Sequence, residues 1–277
     1  MYSKSKALFA VLALFAAATA HARQPGKGRV LVILSSEDKL TLKNGKIHKT
    51  GFFFPELMVP VQKLAAAGYE PVFANPKGNR AVMDAISDSA SFFGPSPQAL
   101  KKYEDAKAAC RALGICGDKL EGSRKLNKIA DILPDLKDYS AVFVPGGHAP
   151  LEDLWKDADT GKVLRYFHEH KKTTALLCHG PVALLSAMEK GKAEKWAYRG
   201  YAMTVFTTGE EKQAEKGFLG GDVKFYPDRA LEKAGAKIKK GAPGSSTIVT
   251  DRELITGQNP ASEDALADKL LAALQEK

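Results

Sequence analysis

The amino-acid sequence predicts an α/β fold built on a mostly parallel sheet with helices on both faces. Short apolar runs rich in β-branched residues alternate along the chain with segments whose apolar residues recur at helical spacing. The apolar runs are continuous rather than alternating, as expected for strands buried on both faces. Most of the chemically suggestive side chains follow directly after such a run, and in parallel sheets the ligand crevice lies at the carboxyl ends of the strands.

The N-terminus, residues 1–22, has the pattern of a secretory signal peptide. Lys4 and Lys6 precede an apolar run over 7–18, and Ala20, His21 and Ala22 give the small-x-small form of a cleavage site. The run is short for a membrane span, although an uncleaved anchor is the alternative. We therefore expect a periplasmic or secreted protein with a single domain over 28–277 and no membrane association after cleavage.

Strands and helices are predicted in order from these patterns. The strands lie at 29–36, 69–76, 140–147, 173–178 and 201–208, and a strand pair lies at 246–257. The principal helices lie at 51–68, 161–172 and 262–275. Gly68 is a C-terminal stop signal, and Ser262 is placed to cap the last helix. Glu263 and Asp264 would lie in the first turn of that helix, where acidic residues are favourable.

The segment at about 81–134 lacks a strand pattern and interrupts the alternation. We interpret it as a helical insertion rather than a separate domain, because it has too few apolar residues for a core of its own. Cys110 and Cys116 lie within it and are close enough in sequence for a small-loop disulfide, which an oxidising compartment would favour. Two free thiols are the alternative.

Cys178 ends the strand predicted at 173–178 and precedes a segment at 181–187 that has a helical pattern. A nucleophile in a strand–turn–helix is typical of an elbow, a strained turn that lifts a side chain out of the sheet. Gly180 permits close approach of the backbone, and Pro181 suits the first helical turn. The helix N-terminus is expected to favour the thiolate. A buried, unreactive cysteine at a strand end is the alternative.

Gly146, Gly147 and His148 end the strand predicted at 140–147. Two glycines there let backbone N–H groups face the crevice, as an oxyanion hole requires. His148 is a candidate substrate-binding side chain. The alternative is a glycine-rich turn that carries an exposed histidine.

Carboxyl groups near these strand ends are candidates for proton transfer or for orienting an imidazole. Glu56 lies in a strongly apolar stretch, where burial would raise its pKa. Glu210 and Glu211 follow the strand predicted at 201–208, and either could accept a hydrogen bond from His179. Each of these carboxyl groups could instead face water.

The charge and the histidine content exclude some classes of function. The formal net charge is +9, but the lysines are spread along the chain and form no basic stripe interleaved with aromatic residues. Nucleic acid is therefore not an expected partner. The histidines show no recognisable metal-ligand spacing, so no metal is predicted.

The segments VFVPGGHAPLEDL, ALLCHGPVALL and LITGQNPAS together resemble the ThiJ/PfpI superfamily, which includes the Parkinsonism-associated deglycase. The resemblance extends from Val30 to about Leu274. KTGFFFPE and the GEE after the predicted fifth strand are most similar to the heat-shock-protein-31-type branch, which includes glutathione-independent glyoxalase (glyoxalase III). The resemblance implies a flavodoxin-like three-layer sandwich of the class I glutamine amidotransferase type, and usually a homodimer.

The resemblance also implies roles for individual residues. Cys178 would be the nucleophile, His179 its neighbouring base, and Glu56 the carboxyl group that hydrogen-bonds the cysteine. Glu210 is the better match to the acidic third member because it follows a glycine, and Glu211 is the alternative.

The expected reaction is the cofactor-free conversion of a small reactive aldehyde, methylglyoxal or another 2-oxoaldehyde, to a 2-hydroxy acid. Cys178 would carry a hemithioacetal, an enediol and a thioester in turn, while backbone N–H groups at Gly147 and His179 hold the oxyanion. Deglycase or small-peptidase activity on the same cysteine is the alternative. A holding chaperone with an apolar patch within 81–134 and a redox sensor based on oxidation of Cys178 are further alternatives.

Overall fold

The computed structural model describes residues 26–116, 124–189 and 192–276. The strands are β1 (Gly28–Ile33), β2 (Lys39–Thr41), β3 (Ile47–Lys49), β4 (Tyr69–Asn75), β5 (Asn127–Lys128), β6 (Tyr139–Val144), β7 (Thr173–Leu177), β8 (Ala202–Met203), β9 (Lys237–Ile238), β10 (Ile248–Asp251) and β11 (Leu254–Gly257). The α-helices are α1 (Phe54–Ala66), α2 (Ala99–Ala112), α3 (Ile129–Ile132), α4 (Ala158–Glu169), α5 (Thr208–Ala214), α6 (Pro227–Ala234) and α7 (Glu263–Gln275). The predicted signal peptide at 1–22 lies outside the described residues.

A seven-stranded sheet in the order β10-β11-β7-β6-β1-β4-β5 forms the centre of the molecule. All of its neighbouring strands are parallel except β10 and β11, which form the predicted strand pair and run antiparallel. Every residue of β7 is buried, as its continuous apolar sequence predicts. The predicted α/β class with a mostly parallel sheet is therefore confirmed.

Helices cover both faces of this sheet and complete a three-layer sandwich. Residues of α1, α2 and α7 pack with one set of strand side chains, including Val30, Val32 and Phe143. Residues of α3, α4 and α6 pack with the opposite set, including Leu31, Ile33 and Val142. Alternate residues of the central strands thus enter separate cores, which is the arrangement that a buried parallel sheet requires.

The predicted fifth strand at 201–208 is wrong as a member of the central sheet. Only β8 forms there, and it pairs with β9 in a separate two-stranded sheet. The position beside β7 is taken by β11. The chain after β8 instead crosses the carboxyl edge of the sheet, where the Phe206 N–H donates to the Cys178 carbonyl oxygen at 2.9 Å. This crossing brings the Phe206 side chain to the edge where the cysteine lies.

The segment at 81–134 contains α2 and short 3₁₀-helices at Ala85–Ser87 and Ala90–Phe93, as a helical insertion predicts. It also contributes β5, a two-residue edge strand beside β4, which the sequence did not predict. Cys110 and Cys116 form a disulfide, so the free-thiol alternative is wrong. The bond ties the end of α2 to the loop that follows it.

Two further details of the structure differ from the prediction made from the sequence. The Ser262 side chain makes no cap hydrogen bond to α7, because its Oγ accepts from the Thr247 N–H at 3.0 Å and so joins the helix start to the strand pair. The β2–β3 hairpin, which turns near Asn44 and Gly45, was not predicted. Within the residues that the structure describes, no helix is both long and apolar enough to cross a membrane.

Candidate active site

Cys178 occupies the turn between β7 and a 3₁₀-helix at Gly180–Ala187. Its φ is 58°, in the left-handed region that non-glycine residues rarely adopt. Hydrogen bonds on both sides hold this strained backbone, because the Cys178 N–H donates to the Gly257 carbonyl oxygen at 2.9 Å and its own carbonyl accepts from Phe206. The strained geometry is that of the predicted elbow.

His179 links the cysteine to a carboxylate. Its Nδ1 lies 3.2 Å from the Cys178 Sγ, and its Nε2 lies 2.9 Å from Oε2 of Glu211. The imidazole is fully enclosed, with its ring centroid 4.5 Å from that of Phe206 and 4.2 Å from that of His148. Since Glu211 accepts the Nε2 proton, the lone pair of Nδ1 faces the sulfur and can take the thiol proton.

The pKa shifts of His179 and Glu211 agree with a neutral His179 that carries its proton on Nε2. Burial alone would raise the pKa of Glu211, but the two imidazoles beside it lower that pKa well below its ordinary value. Glu211 is therefore a carboxylate. Burial and the neighbouring His148 lower the pKa of His179, so the protein holds a neutral imidazole.

The prediction that Glu210 contacts His179 is wrong, and Glu211 occupies that position. Glu210 is the third residue of a capping box at the start of α5, where its Oε2 accepts from the Thr207 N–H at 3.0 Å. Its Oε1 accepts from Asn259 at 2.7 Å and from the Gly244 N–H at 3.0 Å. Both oxygens of Glu210 are therefore occupied in holding loops together, away from the imidazole.

Glu56 lies in the first turn of α1 and is fully buried, so its water-facing alternative is wrong. Its Oε2 accepts from the Gly146 N–H at 3.0 Å. Burial raises the pKa of Glu56 to about 8. The group is thus a protonated acid at neutral pH. Its Oε1 makes no hydrogen bond to another described residue, so the expected hydrogen bond to the Cys178 sulfur stays a prediction.

The thiol itself is less acidic than the sequence suggested. Burial is the largest cause that raises the pKa of Cys178 well above its ordinary value, and an ionised Glu56 would raise it further. The Gly147 N–H acts in the opposite direction by hydrogen-bonding the sulfur. The expectation of a resting thiolate is therefore wrong, and the proton must pass to His179 as the sulfur attacks.

Glycines allow these groups to approach so closely. A Cβ placed on Gly146 would lie 2.6 Å from both the Cys178 Cβ and Oε2 of Glu56, so only glycine fits between the two. A Cβ on Gly180 would lie 2.3 Å from the Val144 carbonyl oxygen, which explains the glycine after the elbow by close packing. Gly147 has a φ of 89° and precedes His148 at the same edge.

The sulfur and both imidazoles open into a small cavity of about 190 Å³. Its apolar lining residues are Phe53, Ile86, Phe92, Phe206, Phe218 and Pro260. The other lining residues are Asp84, Gly147, His148, Cys178 and His179. The cavity lies at the carboxyl ends of β6 and β7, where the sheet predicts a ligand site. Its size suits a molecule of a few non-hydrogen atoms.

His148 is buried rather than exposed, so its solvent-facing alternative is wrong. Its Nε2 lies 3.2 Å from Oε1 of Glu211, whereas His179 contacts Oε2. His148, His179 and Glu211 together form a group whose ligand atoms lie within 4.8 Å of one another, close enough to hold a metal ion. The sequence analysis missed this cluster because its members come from three separate segments.

Sequence reasoning also missed Glu263, which it placed only as an acidic first-turn residue of α7. Glu263 is buried, and burial followed by the charge of Glu56 raises its pKa to about 9. Its Oε2 has no hydrogen-bond partner among the described residues. Two weakly acidic carboxyl groups, Glu56 and Glu263, therefore lie close enough to raise each other's cost of ionisation.

Comparison with known proteins agrees with this architecture. The profile of the DJ-1/PfpI family matches residues 49–273. A protein/nucleic acid deglycase HchA of Staphylococcus aureus is 31% identical over 264 residues, which cover 92% of this chain and 84% of the relative. HchA from a second strain of that organism is 29% identical with the same coverage.

Solved structures share the fold. One is 26% identical and superimposes with a TM-score of 0.69 over 90% of this chain and 98% of its own. Glyoxalase III of Candida albicans superimposes with a TM-score of 0.66 over 89% of this chain and 97% of its own, at 24% identity. The flavodoxin-like sandwich that the resemblance implied is therefore confirmed.

Proposed function

Because the chain belongs to the DJ-1/PfpI family, we propose that it is a glutathione-independent glyoxalase, which converts methylglyoxal or a similar 2-oxoaldehyde to a 2-hydroxy acid. The observation that carries the proposal is the line from the Cys178 sulfur through His179 to Glu211, open to a cavity of about 190 Å³. Such a cavity admits a three-carbon aldehyde beside an activated nucleophile. No residue role in the proposal requires an organic cofactor or a metal.

The first step is addition of the sulfur to the aldehyde carbon. His179 Nδ1 takes the thiol proton, and the negative charge of Glu211 stabilises the imidazolium that forms. The carbonyl oxygen takes up the electron pair and is protonated to give the hemithioacetal. The Gly147 N–H is the donor beside the sulfur that stabilises negative charge developing there.

The second step moves a hydrogen from the first carbon to the second. His179, once it has returned its proton, removes the proton from the carbon bonded to sulfur and gives an enediol. Reprotonation at the adjacent carbon yields a 2-hydroxy thioester of Cys178. Water then cleaves the thioester and frees the thiol, so the net change is the addition of one water molecule to methylglyoxal.

Removal of the same aldehyde from a protein or a nucleotide is a second candidate function. It is favoured by the HchA relatives, which are named as protein/nucleic acid deglycases. The nucleophile would be the same, and the leaving group would be the amine or thiol that carries the adduct. The apolar side chains Ile86, Phe92 and Phe218 at the cavity are partly exposed and could contact such a carrier.

The test measures 2-hydroxy acid formation from methylglyoxal without glutathione, for the wild type and for Cys178→Ala. We expect formation of lactate that Cys178→Ala abolishes. A Cys110→Ala/Cys116→Ala double variant is the matched control and should keep its activity. Activity that survives in Cys178→Ala would refute the proposal. Activity only on a preformed adduct of methylglyoxal with N-acetylcysteine would favour the deglycase instead.

We also propose that the protein is exported and acts as a homodimer. The signal-peptide pattern at 1–22 supports export. The family resemblance, which usually implies a homodimer, supports the second statement. N-terminal sequencing of protein from the periplasmic fraction should begin near residue 23, after the predicted cleavage site. Light scattering of the purified protein should give twice the chain mass, and a monomer mass would contradict the dimer.

A further inference from the structure

Two imidazoles converge on one carboxylate beside the nucleophile. Glu211 Oε2 lies 2.9 Å from Nε2 of His179, and its Oε1 lies 3.2 Å from Nε2 of His148. The proposed reaction uses the first of these contacts and leaves the second without a role. His148 lines the cavity, and neither His148 nor Glu211 exposes more than a tenth of its surface.

The second contact leaves polar atoms unsatisfied. His148 Nε2 and Glu211 Oε1 face each other without forming a hydrogen bond, and neither atom has another partner in the described part of the chain. Buried polar atoms are rarely left in this condition, because each costs about 1–3 kcal/mol when it is unpaired. A cation bound between the two atoms would satisfy both of them.

The donor set identifies the class of ligand. Two imidazole nitrogens and one carboxylate oxygen suit Zn²⁺ and related transition-metal ions, whereas Mg²⁺ and Ca²⁺ prefer sites made of oxygen. Metal–ligand bonds to these donors are about 2.0–2.2 Å long, so ligand atoms around one ion lie about 3–3.5 Å apart. His179 and His148 lie 2.9 and 3.2 Å from different oxygens of Glu211. One ligand atom from each of the three residues lies within 4.8 Å of the other two, so the side chains must draw together to reach that spacing.

We propose that His148, His179 and Glu211 form an inhibitory binding site for Zn²⁺ or a similar divalent transition-metal ion. The ion enters from the cavity, which both imidazoles line. Three protein ligands leave one position of a tetrahedral ion for water.

Metal binding reverses the tautomer of the catalytic imidazole. In the metal-free protein Nε2 carries the proton that Glu211 accepts, and Nδ1 presents its lone pair to the sulfur. A metal ion on Nε2 displaces that proton, and the neutral metal-bound ring carries its proton on Nδ1 instead. Nδ1 then cannot accept the thiol proton, so the first step of the proposed reaction stops. This inhibition rests on the proposed function, whereas metal binding itself does not.

The sulfur lies outside the ligand set. Cys178 Sγ contacts Nδ1, on the side of the ring away from the ion, and it is not a member of the group of three. Bound Co²⁺ should therefore give the absorption of a nitrogen- and oxygen-ligated ion without a thiolate charge-transfer band. Cys178→Ser should bind the ion with unchanged affinity.

The experiment titrates untagged, chelator-treated protein with Zn²⁺ in competition with a chromophoric chelator. We expect one ion per chain, and an affinity that falls by at least about tenfold in His148→Asn. His170→Asn is the matched control, because His170 lies on the surface at the end of α4 and bonds only locally to Tyr166. Circular dichroism establishes that both variants are folded.

Three results would overturn the site: no stoichiometric binding, binding that His148→Asn leaves unchanged, or a cobalt spectrum that contains a thiolate band. These readouts do not depend on enzyme activity, so they remain interpretable if the proposed function fails. Where lactate formation is observed, Zn²⁺ should inhibit it in the wild type, and a chelator should restore it. Full activity of the Zn²⁺-loaded protein would refute the inhibitory role.

Discussion

At the scale of single residues, Glu210 and Glu211 are neighbours with different tasks. Both follow the same predicted strand, and a sequence criterion based on distance from the strand cannot separate them. A local signal could have done so, because Thr207 and Glu210 have the spacing of a capping box, which commits the Glu210 side chain to the helix start. Glu211 is then left to turn toward the imidazole.

Substitution of these two residues should separate the tasks. Glu211→Gln should lower kcat by roughly 10²–10⁴-fold, since an amide can donate to Nε2 and so places the ring proton on Nδ1, which faces the sulfur. Glu210→Gln should change kcat little and lower the free energy of unfolding by about 1–3 kcal/mol, because it weakens buried hydrogen bonds. Steady-state kinetics and urea unfolding measure both. The reverse pattern would restore Glu210 as the third catalytic member.

Glu56 predicts a pH dependence of the reaction. Its pKa of about 8 means that the carboxyl group is protonated and uncharged below that pH. Above it, the ionised group repels developing charge on Cys178. We expect kcat/KM to fall as the pH rises through about 8. Glu56→Gln, which cannot ionise, should lack this fall.

Glu232→Gln is the control for the Glu56 experiment, since Glu232 lies exposed on α6 and pairs with Arg229. Its pH profile should match that of the wild type. A fall of the same size and midpoint in Glu56→Gln would show that another group is responsible.

At the scale of elements, the sequence predicted those structures that local patterns determine. The strands β1, β4, β6 and β7 and the helices α1, α4 and α7 lie close to their predicted positions, because each combines an apolar period with a stop signal. The predicted fifth strand failed because Tyr201, Met203 and Val205 are buried in the core that contains α4 and α6. Phe206 lies at the carboxyl edge of the sheet instead. Phe206 packs on His179 there, and only the tertiary structure reveals that neighbour.

The disulfide belongs to α2 rather than to the active site. Cys110 and Cys116 close a small loop at the end of that helix, far in sequence from Cys178. The Cys110→Ala/Cys116→Ala double variant should lose about 2 kcal/mol of stability by the loop-entropy argument. Urea unfolding measures the loss, and the aldehyde reaction should continue. Loss of activity in a folded double variant would mean that α2 positions the catalytic groups.

At the scale of the whole molecule, the resemblance identified the fold and the elbow. The protonation states of the thiol and of the carboxyl groups could be inferred only from the structure. The pattern of strand, cysteine and glycine is local, so the sequence could place Cys178, His179 and Gly180 together. Whether the thiol is ionised depends on burial by distant segments. Glu56 and Glu263 come from opposite ends of the chain, and their mutual effect could not be deduced from spacing.

Those two carboxyl groups should make stability fall with rising pH. The pKa values of Glu56 and Glu263 in the folded protein are about 8 and about 9, both above the ordinary value of 4.5. The folded state therefore binds more protons than the unfolded chain between these values. The stabilisation is complete below about pH 4.5 and is lost as the pH rises through about 8–9.

Urea unfolding at several pH values between about 5 and 9 measures this dependence. Each group contributes a slope of at most about 1.4 kcal/mol per pH unit. Glu263→Gln should make the free energy of unfolding depend less steeply on pH, and it leaves the contacts among Cys178, His179 and Glu211 in place. A stability that rises steadily over this range would contradict the assignment of both groups as buried acids.

The most direct test of the central claim is the rate at which iodoacetamide alkylates Cys178 near neutral pH, followed by peptide mass spectrometry. The central claim is that His179 and Glu211 activate the sulfur. Alkylation should therefore be much slower in Glu211→Gln than in the wild type. Glu210→Gln should react at the wild-type rate. Equal rates in all three proteins would contradict activation of the sulfur through the imidazole and its carboxylate.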